Sequence, residues 1–347
     1  MRYGLIPDNP REEQLLASPR APRALFDTFL PLLQARAIMA GVRLRIFESL
    51  RDGSRSAVDL AKSLDLHAET LDLALRVLAS AGYLSREDGR YALTENTRET
   101  LLGGSPALLT SYVGLDEVSW EWIGNMNDVI RTGRGVDMHQ NLGDPASWAT
   151  YQGAMLETAR RIAPLVAPLV PVRPGALKLL DIAGSHGLFG ALICRAHPPM
   201  RSEVLDLPVA VEHSRSLAHR EGLDDVVTHR AGNALADELG EQHDVVFLGN
   251  ILHHFSPEQC KGLLVRIRRA LSPDGTVVIW EIRQPEPNDP PEIVGDGFAL
   301  YFRVTSTARC YTIGEYTGWL AETGLADVQV HPTPFAPFQI LATGRAR

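Results

Sequence analysis

Apolar residues are spaced differently in the two halves of the chain. Over residues 24–40 they recur every three or four positions, which predicts a helix, with Gly41 as a candidate interruption and residues 42–50 as a continuation. Beyond residue 176 they form short runs between polar loops, a pattern typical of buried strands alternating with helices. The apolar positions of the first helix are Leu25, Phe29, Leu32, Leu33 and Ile38.

Residues 54–102 carry the pattern of a winged helix. A short helix with Ser56 as its expected N-cap precedes a second helix over 67–81 and a hairpin whose turn is Asp88-Gly89. A DNA-binding surface needs basic residues to contact phosphates. This stretch holds six Lys and Arg against eight Asp and Glu, so a structural or dimerising role is favoured over DNA binding.

Residues 110–168 are predicted to be helical and are rich in aromatic residues. Loops are expected at Gly133–Gly135 and Gly143–Pro145, and four prolines between 164 and 174 mark a boundary. The segment is either a linker of packed helices or one wall of a substrate pocket, and aromatic residues at helical spacing more often belong to a core. These residues are Tyr112, Trp120, Trp122, Trp148 and Tyr151.

The remainder predicts an α/β fold. Strands are expected over 177–182, up to residue 206, and over 225–228, 244–248 and 276–282, with helices over 256–271 and 312–323. The last two strands, 328–331 and 338–342, are joined by too few residues for a parallel crossover and must be antiparallel. The predicted class is therefore a doubly wound, Rossmann-like parallel sheet with an antiparallel terminal strand, which differs from the dehydrogenase arrangement.

The stretch from Leu179 to Gly190 predicts the ligand site. A strand breaks at small residues and resumes as a helix, so the backbone can approach a ligand and the helix start offers free N–H groups. Asp181 lies at the strand tip, where it either faces the ligand or caps the turn. Asp206 ends the next strand, where an acid can bind the hydroxyls of a ribose. These features indicate a nucleoside cofactor and do not choose between a nicotinamide and a methyl donor.

Composition and charge limit the classes of partner and the cellular location that are expected. The chain has 347 residues and a net charge of −8, which argues mildly against a nucleic-acid partner. Three scattered cysteines favour a reduced, cytoplasmic protein. Residues 1–22 lack the apolar core of a signal peptide, and no run approaches the roughly 20 apolar residues of a membrane span. No His, Cys and Asp cluster has metal-ligand spacing, so no metal is expected.

Five motifs together resemble a known family. Residues 180–187 (Leu-Asp-Ile-Ala-Gly-Ser-His-Gly), 205–208 (Leu-Asp-Leu-Pro) and 231–234 (Ala-Gly-Asn-Ala) resemble class I S-adenosylmethionine-dependent methyltransferases. Residues 250–260 and 268–279 are similar to the small-molecule O-methyltransferases typified by plant caffeate and bacterial polyketide enzymes. The likeness covers nearly the whole chain.

The resemblance implies S-adenosylmethionine as cofactor and a hydroxylated aromatic or polyketide-like small molecule as acceptor. It also implies an intertwined homodimer formed through the winged-helix domain. On this basis the chain divides into a dimerisation domain (1–105), a helical linker lining the substrate pocket (106–170) and a cofactor-binding methyltransferase domain (171–347). No nucleic-acid or membrane partner is expected.

The resemblance also assigns roles to residues. His253 stands where the family has its catalytic base, and Glu281 where an acid orients that base. The expected cofactor-binding residues are Asp181, Gly184, Asp206, Leu207, Gly232, Asn233, Ala234 and Asn250. The expected acceptor-binding residues are Tyr151, Met155, Phe298, Tyr301 and Phe302.

Several positions depart from the family pattern. Ala183 replaces the first glycine of the turn, His254 follows the base where Asp is common, and Gly249 replaces a lysine. Cys310 replaces a second acid, which leaves room for C- or N-methylation or for a reaction that keeps the cofactor without methylating. His186 is expected to pack without a chemical role. The side chain of His254 is expected to diverge from that of His253 and to have a structural role. A DNA-binding regulator with a nucleoside sensor and a dehydrogenase remain as further alternatives.

Overall fold

The computed structural model describes residues 4–347 and divides the chain into two compact units. The first unit ends at Glu117 and the second comprises Val118–Arg347, so the division falls inside the segment predicted as a linker. The elements of the first unit are α1 (Pro10–Ala17), α2 (Arg23–Arg43), α3 (Ile46–Ser49), β1 (Arg55–Ser56), α4 (Ala57–Leu64), α5 (Ala68–Ser80), β2 (Leu84–Glu87), β3 (Arg90–Leu93) and α6 (Glu95–Leu101).

The helix, helix and hairpin predicted in the first unit are all present. Ser56 accepts a hydrogen bond from the Asp59 backbone N–H and caps α4. Strands β2 and β3 pair antiparallel around Asp88 and Gly89, which both have positive φ. Helices α4 and α5 pack their apolar faces into one core beneath this hairpin.

The expected interruption at Gly41 is wrong. Helix α2 continues through Gly41 to Arg43, and the chain instead turns at Arg45, whose φ is 57°. A Cβ atom at Gly41 would lie 2.6 Å from Cε2 of Phe47. The glycine is therefore needed for close packing inside a continuous helix.

Helix α2 bears on the expectation about membrane spans. Of the helices in residues 4–347, it is the one that is long and apolar enough to cross a membrane by length and composition. Asp27 and Arg36 interrupt its apolar run, so a search for an unbroken run passes over it. This is weak evidence for a membrane span, because helices of soluble proteins meet the same criterion.

The second unit contains a seven-stranded sheet covered by helices. The remaining elements are α7 (Thr110–Gly124, which crosses the boundary), α8 (Met126–Thr132), α9 (Met138–Asn141), α10 (Pro145–Val166), β4 (Lys178–Ile182), α11 (Leu188–Ala196), β5 (Arg201–Asp206), α12 (Pro208–Arg220), β6 (Val227–Ala231), β7 (His243–Gly249), α13 (Pro257–Ala270), β8 (Leu271–Ile282), α14 (Ile293–Thr305), α15 (Ile313–Glu322), β9 (Ala326–His331) and β10 (Gln339–Arg345). The strand order is β6-β5-β4-β7-β8-β10-β9.

The sheet confirms the predicted α/β class. Strands β4 to β8 are parallel, and β10 runs antiparallel to both β8 and β9. Alternate residues of β7 face opposite sides of the sheet: Val245 and Phe247 pack with helices α10, α11 and α12, and Val246 and Leu248 pack with α13 and α15. Strand β6 lies two to three residues later than the strand expected over 225–228. Strand β8 begins at Leu271, before the turn that was expected to precede it.

Candidate functional site

Four parallel strands end at one edge of the sheet. Ile182 of β4 is in register with Leu205 of β5 and Leu248 of β7, and Asp206 is in register with Ala231 of β6. The segments that follow these strands therefore meet in one crevice. Crevices at the carboxyl ends of parallel strands are where open α/β sheets bind ligands.

The turn after β4 brings bare backbone into this crevice. Ala183, Ser185 and Gly187 all have positive φ, between 46° and 74°. A Cβ atom at Gly184 would overlap the carboxyl group of Asp181, so this position requires glycine. Ala183, which stands where the family has glycine, adopts the left-handed conformation despite its side chain.

Two carboxylates support the turn. Asp181 is 2% exposed, accepts a hydrogen bond from the Gly190 N–H, and has an Oδ2 without a partner among residues 4–347. Burial raises the pKa of Asp181 to about 7. Oδ2 of Asp206 accepts from the Ser185 N–H at 3.0 Å and Oδ1 from the Leu207 N–H at 2.7 Å. Burial raises the pKa of Asp206 to about 6.

The loop after β6 is held against Asp206. The Gly232 N–H donates to the backbone carbonyl of Asp206 at 2.8 Å. A Cβ atom at Gly232 would lie 2.8 Å from Cδ1 of Leu205, so the loop packs closely there. Asn233 uses Oδ1 to accept from the Leu235 N–H at 2.9 Å, and its own N–H donates to Asp237. Its side chain therefore shapes the loop in which it lies.

Leu207, Ala234 and Asn250 complete the set expected to bind the cofactor. Leu207 is 38% exposed at the start of α12, and Ala234 is half-buried. Asn250 follows β7 with a φ of 53°, and its Oδ1 accepts from Nε2 of Gln339 at 3.3 Å. The structure thus places every residue of that set at the carboxyl end of one of these strands or on the segment that follows it.

His253 and Glu281 form a buried pair. Nδ1 of His253 lies 2.8 Å from Oε2 of Glu281, and the two residues are 1% and 0% exposed. Oε1 of Glu281 accepts from the backbone N–H groups of Ile251 and Leu252 at 2.6 and 2.5 Å. Nε2 of His253 is buried and has no hydrogen-bond partner in the described part of the chain. The carboxylate therefore fixes the ring and leaves one nitrogen available.

Aromatic rings surround this pair. The centroid of Phe302 on α14 lies 3.9 Å from that of His253, and Tyr301 packs against Phe302 at 5.3 Å. The hydroxyl group of Tyr301 is 3.0 Å from Oγ of Ser119. Phe298 stacks on Phe338 at 5.4 Å. Phe302 therefore lies against the imidazole of His253 and Tyr301 against Phe302, whereas Phe298 forms a separate ring pair with Phe338 on the same small apolar cluster as Phe302.

Helix α10 contributes Tyr151 and Met155, one turn apart. Tyr151 contacts this region through His139, whose Nε2 is 3.1 Å from the tyrosine oxygen. The backbone carbonyl of Met155 accepts a hydrogen bond from His186, whose Nδ1 accepts from the Leu188 N–H at 3.0 Å. His186 is thus buried between α10 and the glycine turn. Burial lowers the pKa of His186 to about 4.

The comparison with protein-family models identifies the family of this chain. The model of the O-methyltransferase domain family matches residues 143–326, slightly more than half of the chain. The chain belongs to this O-methyltransferase family. It is an S-adenosylmethionine-dependent methyltransferase.

Individual relatives match this methyltransferase over nearly its full length. It is 26% identical to 3-hydroxy-5-methyl-1-naphthoate 3-O-methyltransferase of Streptomyces sahachiroi, with 89% of this chain and 90% of that protein covered. It is 25% identical to the tetracenomycin polyketide synthesis 8-O-methyl transferase of Streptomyces glaucescens, with 94% and 97% covered. Human N-acetylserotonin methyltransferase, solved in complex with the cofactor, shares the fold with a TM-score of 0.83 at 19% identity, over 95% and 98% of the chains.

The crevice fits this cofactor. A carboxylate offers about four acceptor sites, so Asp206 retains acceptor capacity for ribose hydroxyls after taking two backbone N–H groups. The buried Oγ of Ser185 has no partner in residues 4–347, and Gly184 leaves the turn without a side chain. In the same residues, no group of three or more His, Cys, Asp and Glu side chains is placed to hold a metal ion.

The sequence interpretation missed part of this methyltransferase's site. His139 joins the rings around His253 from α9, and no motif identified it. Trp148 stacks on His139 from α10 and was named only among the aromatic residues of the predicted linker. The expectation that His254 diverges from His253 is wrong, because their ring centroids are only 4.2 Å apart. The short helical turn over Leu252–His254 brings the adjacent rings together.

Proposed function

We propose that the protein is an O-methyltransferase that methylates a hydroxylated aromatic or polyketide-like small molecule, with His253 as general base. The observation that carries this proposal is the buried, unpartnered Nε2 of His253, whose opposite nitrogen is held by Glu281. The acceptors named for the two Streptomyces relatives, a hydroxynaphthoate and a tetracenomycin polyketide, support the acceptor class.

In this proposal the cofactor lies along the strand tips. Gly184 and the turn would approach its methionine part, Asp206 would accept from the ribose, and Leu207, Gly232, Asn233, Ala234 and Asn250 would line the adenine side. Asp181 would support the turn from beneath. The bound cofactor supplies an electrophilic methyl group on a sulfonium.

The chain's own residues then handle the acceptor proton. A phenol with a pKa near 10 is mostly protonated at neutral pH, so its oxygen needs a base. Nε2 of neutral His253 takes the proton, and Glu281 holds the ring in that tautomer and offsets the charge that forms on it. Phe302, Tyr301 and Phe298 from α14, with Tyr151 and Met155 from α10, enclose the acceptor ring and exclude water.

The test replaces the base. His253→Gln is expected to lower kcat by about 10²–10⁴, the usual contribution of a general base, while calorimetry gives unchanged affinity for S-adenosylhomocysteine. His219→Gln is the matched control, since His219 lies on α12 with its side chain 79% exposed. Unchanged turnover in a folded His253→Gln variant would rule out the base. NMR of the product checks that the methyl group is on oxygen and not on carbon or nitrogen.

We further propose that the enzyme works as a homodimer formed through its N-terminal unit. Five large apolar side chains of α2 are 42–55% exposed in the single chain, and a face of that size usually marks an interface. Light scattering should give twice the chain mass, and Leu32→Asp should shift it to the monomer. Flotation with anionic vesicles would favour a membrane role for α2 instead. The five residues are Leu25, Phe29, Leu30, Leu32 and Leu33.

A further inference from the structure

The turn that carries the proposed base is bonded to the segment that follows α14. Leu252–His254 form a short helical turn after β7, and the chain leaves this turn at Phe255. Residues 306–311 lie between α14 and α15, and both ends of this segment donate hydrogen bonds to the turn. The proposed reaction so far gives the 306–311 segment no role.

Ser306 bonds to the base residue itself. Its Oγ donates to the backbone carbonyl of His253 at 2.9 Å and accepts from the Ala308 N–H at 3.1 Å. Because an N–H can only donate, the hydroxyl proton of Ser306 is left for the carbonyl. Ser306 and His253 are each 1% exposed, and within residues 4–347 no other group donates to this carbonyl. The hydroxyl group is therefore the partner of a buried acceptor that water does not reach.

Tyr311 holds the exit of the turn. Its hydroxyl group donates to the Phe255 carbonyl at 2.5 Å. Sγ of Cys260 lies 3.7 Å from the same carbonyl oxygen, so that oxygen has a second, weaker donor. The carbonyl of His253 has no such second donor in the described part of the chain. Of the two bonds from the segment, the one from Ser306 is therefore the harder to replace.

The same part of the chain also contacts the ring of His253. Phe302 lies one helical turn before Ser306, and its ring centroid is 3.9 Å from that of His253. Helix α14 and its C-cap residue thus reach His253 twice, at the imidazole through Phe302 and at the backbone through Ser306. Since Phe302 is proposed to enclose the acceptor ring, the bond from Ser306 fixes the distance between the base and the helix that binds the acceptor.

The end of α14 is fixed by packing on its other side. The Val136 N–H donates to the Val304 carbonyl at 2.8 Å. A Cβ atom at Gly135 would overlap the carbonyl oxygens of Arg303 and Ser306. The loop before α9 therefore closes directly against this helix end, and Ser306 cannot follow His253 if the turn moves.

We propose that Ser306 is a positioning residue for the base, holding the backbone of His253 at the distance from α14 at which Nε2 reaches the acceptor hydroxyl. This inference rests on the proposed function, because Ser306 acts only through His253. Glu281 sets the tautomer and orientation of the imidazole, whereas Ser306 sets where the ring stands. Reacting groups must approach to about 3–3.5 Å, and a misplacement of about 1 Å costs about a hundredfold in rate.

Ser306→Ala tests the positioning role. The variant leaves the buried carbonyl of His253 unpaired, which is unfavourable, and a shift of the turn relieves this. With 2-naphthol and 3-hydroxy-2-naphthoate as acceptors, we expect kcat to fall by about ten- to a hundredfold. KM should stay within about threefold of wild type, and calorimetry should give unchanged affinity for S-adenosylhomocysteine, because neither binding site is altered.

Two further variants separate positioning from a loss of stability. Ser306→Thr keeps the hydroxyl group, and the extended backbone at this position, with φ −135° and ψ 153°, suits a β-branched residue, so most of kcat should return. Ser272→Ala is the matched control. It removes a buried hydroxyl that bonds to Asp244 at 3.0 Å near the start of β8. Urea unfolding should show a similar loss of stability in both alanine variants, but Ser272→Ala should keep its kcat. An equal loss of kcat in both would overturn the inference.

A double-mutant cycle with His253→Gln shows whether Ser306 acts through the base. In the His253→Gln background, Ser306→Ala should lower kcat by less than about twofold further, whereas independent effects would multiply. A full further loss would overturn the inference. If Ser306→Ala alone keeps the wild-type kcat while His253→Gln loses it, the positioning role is wrong and the O-methyltransferase proposal stands.

The position of His253 can also be measured without turnover. In crystals with S-adenosylhomocysteine bound, the backbone of His253 should lie about 1 Å further from α14 in Ser306→Ala than in wild type, and should be unmoved in Ser272→Ala. An unmoved His253 in Ser306→Ala would contradict the inference. If His253 moves as expected but the wild type methylates neither acceptor, Ser306 still positions the ring and the proposed acceptor class is wrong. Should Ser306→Ala not fold, Ser306→Cys, a weaker donor of similar size, allows the same comparison.

Discussion

The cofactor side and the acceptor side of the site begin at the ends of the same strands but are built from different parts of the polypeptide. The cofactor side, residues 183–187, 206–207 and 232–234, presents backbone N–H groups, small residues and one carboxylate. The acceptor side consists of the side chains of His139, His253, His254, Tyr151, Phe302 and Glu281. Here side chains from α9, α10, α14 and two strand ends meet.

This difference teaches which changes each side tolerates. In the proposed binding mode, the backbone on the cofactor side recognises the cofactor, so a single added methyl group there should matter more than a lost charge. On the acceptor side no close approach of the backbone is proposed, and the identity and protonation of each side chain should decide the chemistry. Substitutions of opposite kinds should therefore separate the two sides.

The largest effect is expected from Glu281→Gln on the acceptor side. The amide keeps the shape of Glu281 but offers one oxygen where the carboxylate serves three donors. We expect kcat to fall about a hundredfold or more, within the range of general-base contributions, and the free energy of unfolding to fall by about 1–3 kcal/mol for the unsatisfied donor.

Single-turnover rates and urea unfolding check this prediction. The matched control is Glu322→Gln, whose carboxylate forms an exposed ion pair with Lys261, and it should change neither quantity. S-adenosylhomocysteine should bind the Glu281→Gln variant with wild-type affinity. A full kcat in that variant would show that His253 does not need an anionic partner.

The second prediction concerns the cofactor side. Gly184→Ala adds one methyl group against the carboxyl group of Asp181. Overpacking of this kind costs about 1–3 kcal/mol. Because the turn must shift to relieve it, affinity for S-adenosylhomocysteine should fall by roughly five- to a hundredfold, while the pair of His253 and Glu281 is untouched. Calorimetry measures the affinity.

Gly262→Ala provides the matched control for that change. Gly262 lies on α13, and an added Cβ atom would meet nothing within 4 Å. It should leave the affinity unchanged and stabilise the helix by up to about 1 kcal/mol. If both glycine variants bind the cofactor equally well, the close backbone approach is not what recognises it.

The sequence predicts the cofactor side better than the acceptor side, because the first lies in continuous motifs and the second is assembled from residues far apart in the chain. Gly184 and Asp206 lie in continuous motifs whose local conformation is their function, so they can be identified without the fold. Glu281 stands 28 residues from His253 and was assigned only through the family resemblance. His139 is 114 residues from His253 in the sequence, and only packing of α9 against the strand ends joins them. Asn233 shows a further limit of prediction from sequence. Its side chain accepts a hydrogen bond from the Leu235 N–H, and this contact is visible only in the folded loop.

The third prediction uses the pH dependence of stability. The pKa of Asp181 is raised to about 7 by burial, whereas an unfolded chain has it near 4. The protonated form therefore stabilises the fold fully below about pH 4, and this contribution is lost as the pH rises through about 7. Asp181→Asn stays neutral, so its stability relative to the wild type should increase between pH 5 and 8, by roughly 1–4 kcal/mol at pH 8.

Urea unfolding of the cofactor-free protein at several pH values measures that difference. The amide oxygen of the variant can still accept from the Gly190 N–H, so the turn should keep its shape. Asp206→Asn serves as comparison, because its carboxyl has the smaller rise in pKa, to about 6, and should give a smaller difference. Parallel stability profiles of wild type and Asp181→Asn would mean that this carboxyl is solvated in solution.

The smallest effect is expected at Asn250, which lies between the two sides. Its φ is 53°, its N–H donates to the Trp280 carbonyl at 2.7 Å, and its side chain accepts from Gln339. If Asn250 acts through its backbone, as the cofactor side does, Asn250→Gly should bind S-adenosylhomocysteine within about threefold of wild type, the equivalent of less than 1 kcal/mol. Asn250→Ala should be destabilised by about 1 kcal/mol, because the short polar side chain of asparagine favours the left-handed conformation and that of alanine does not. A loss of affinity in both variants, measured by calorimetry, would instead mean that the amide contacts the cofactor, and Asn250 would then belong with the residues that act through their side chains.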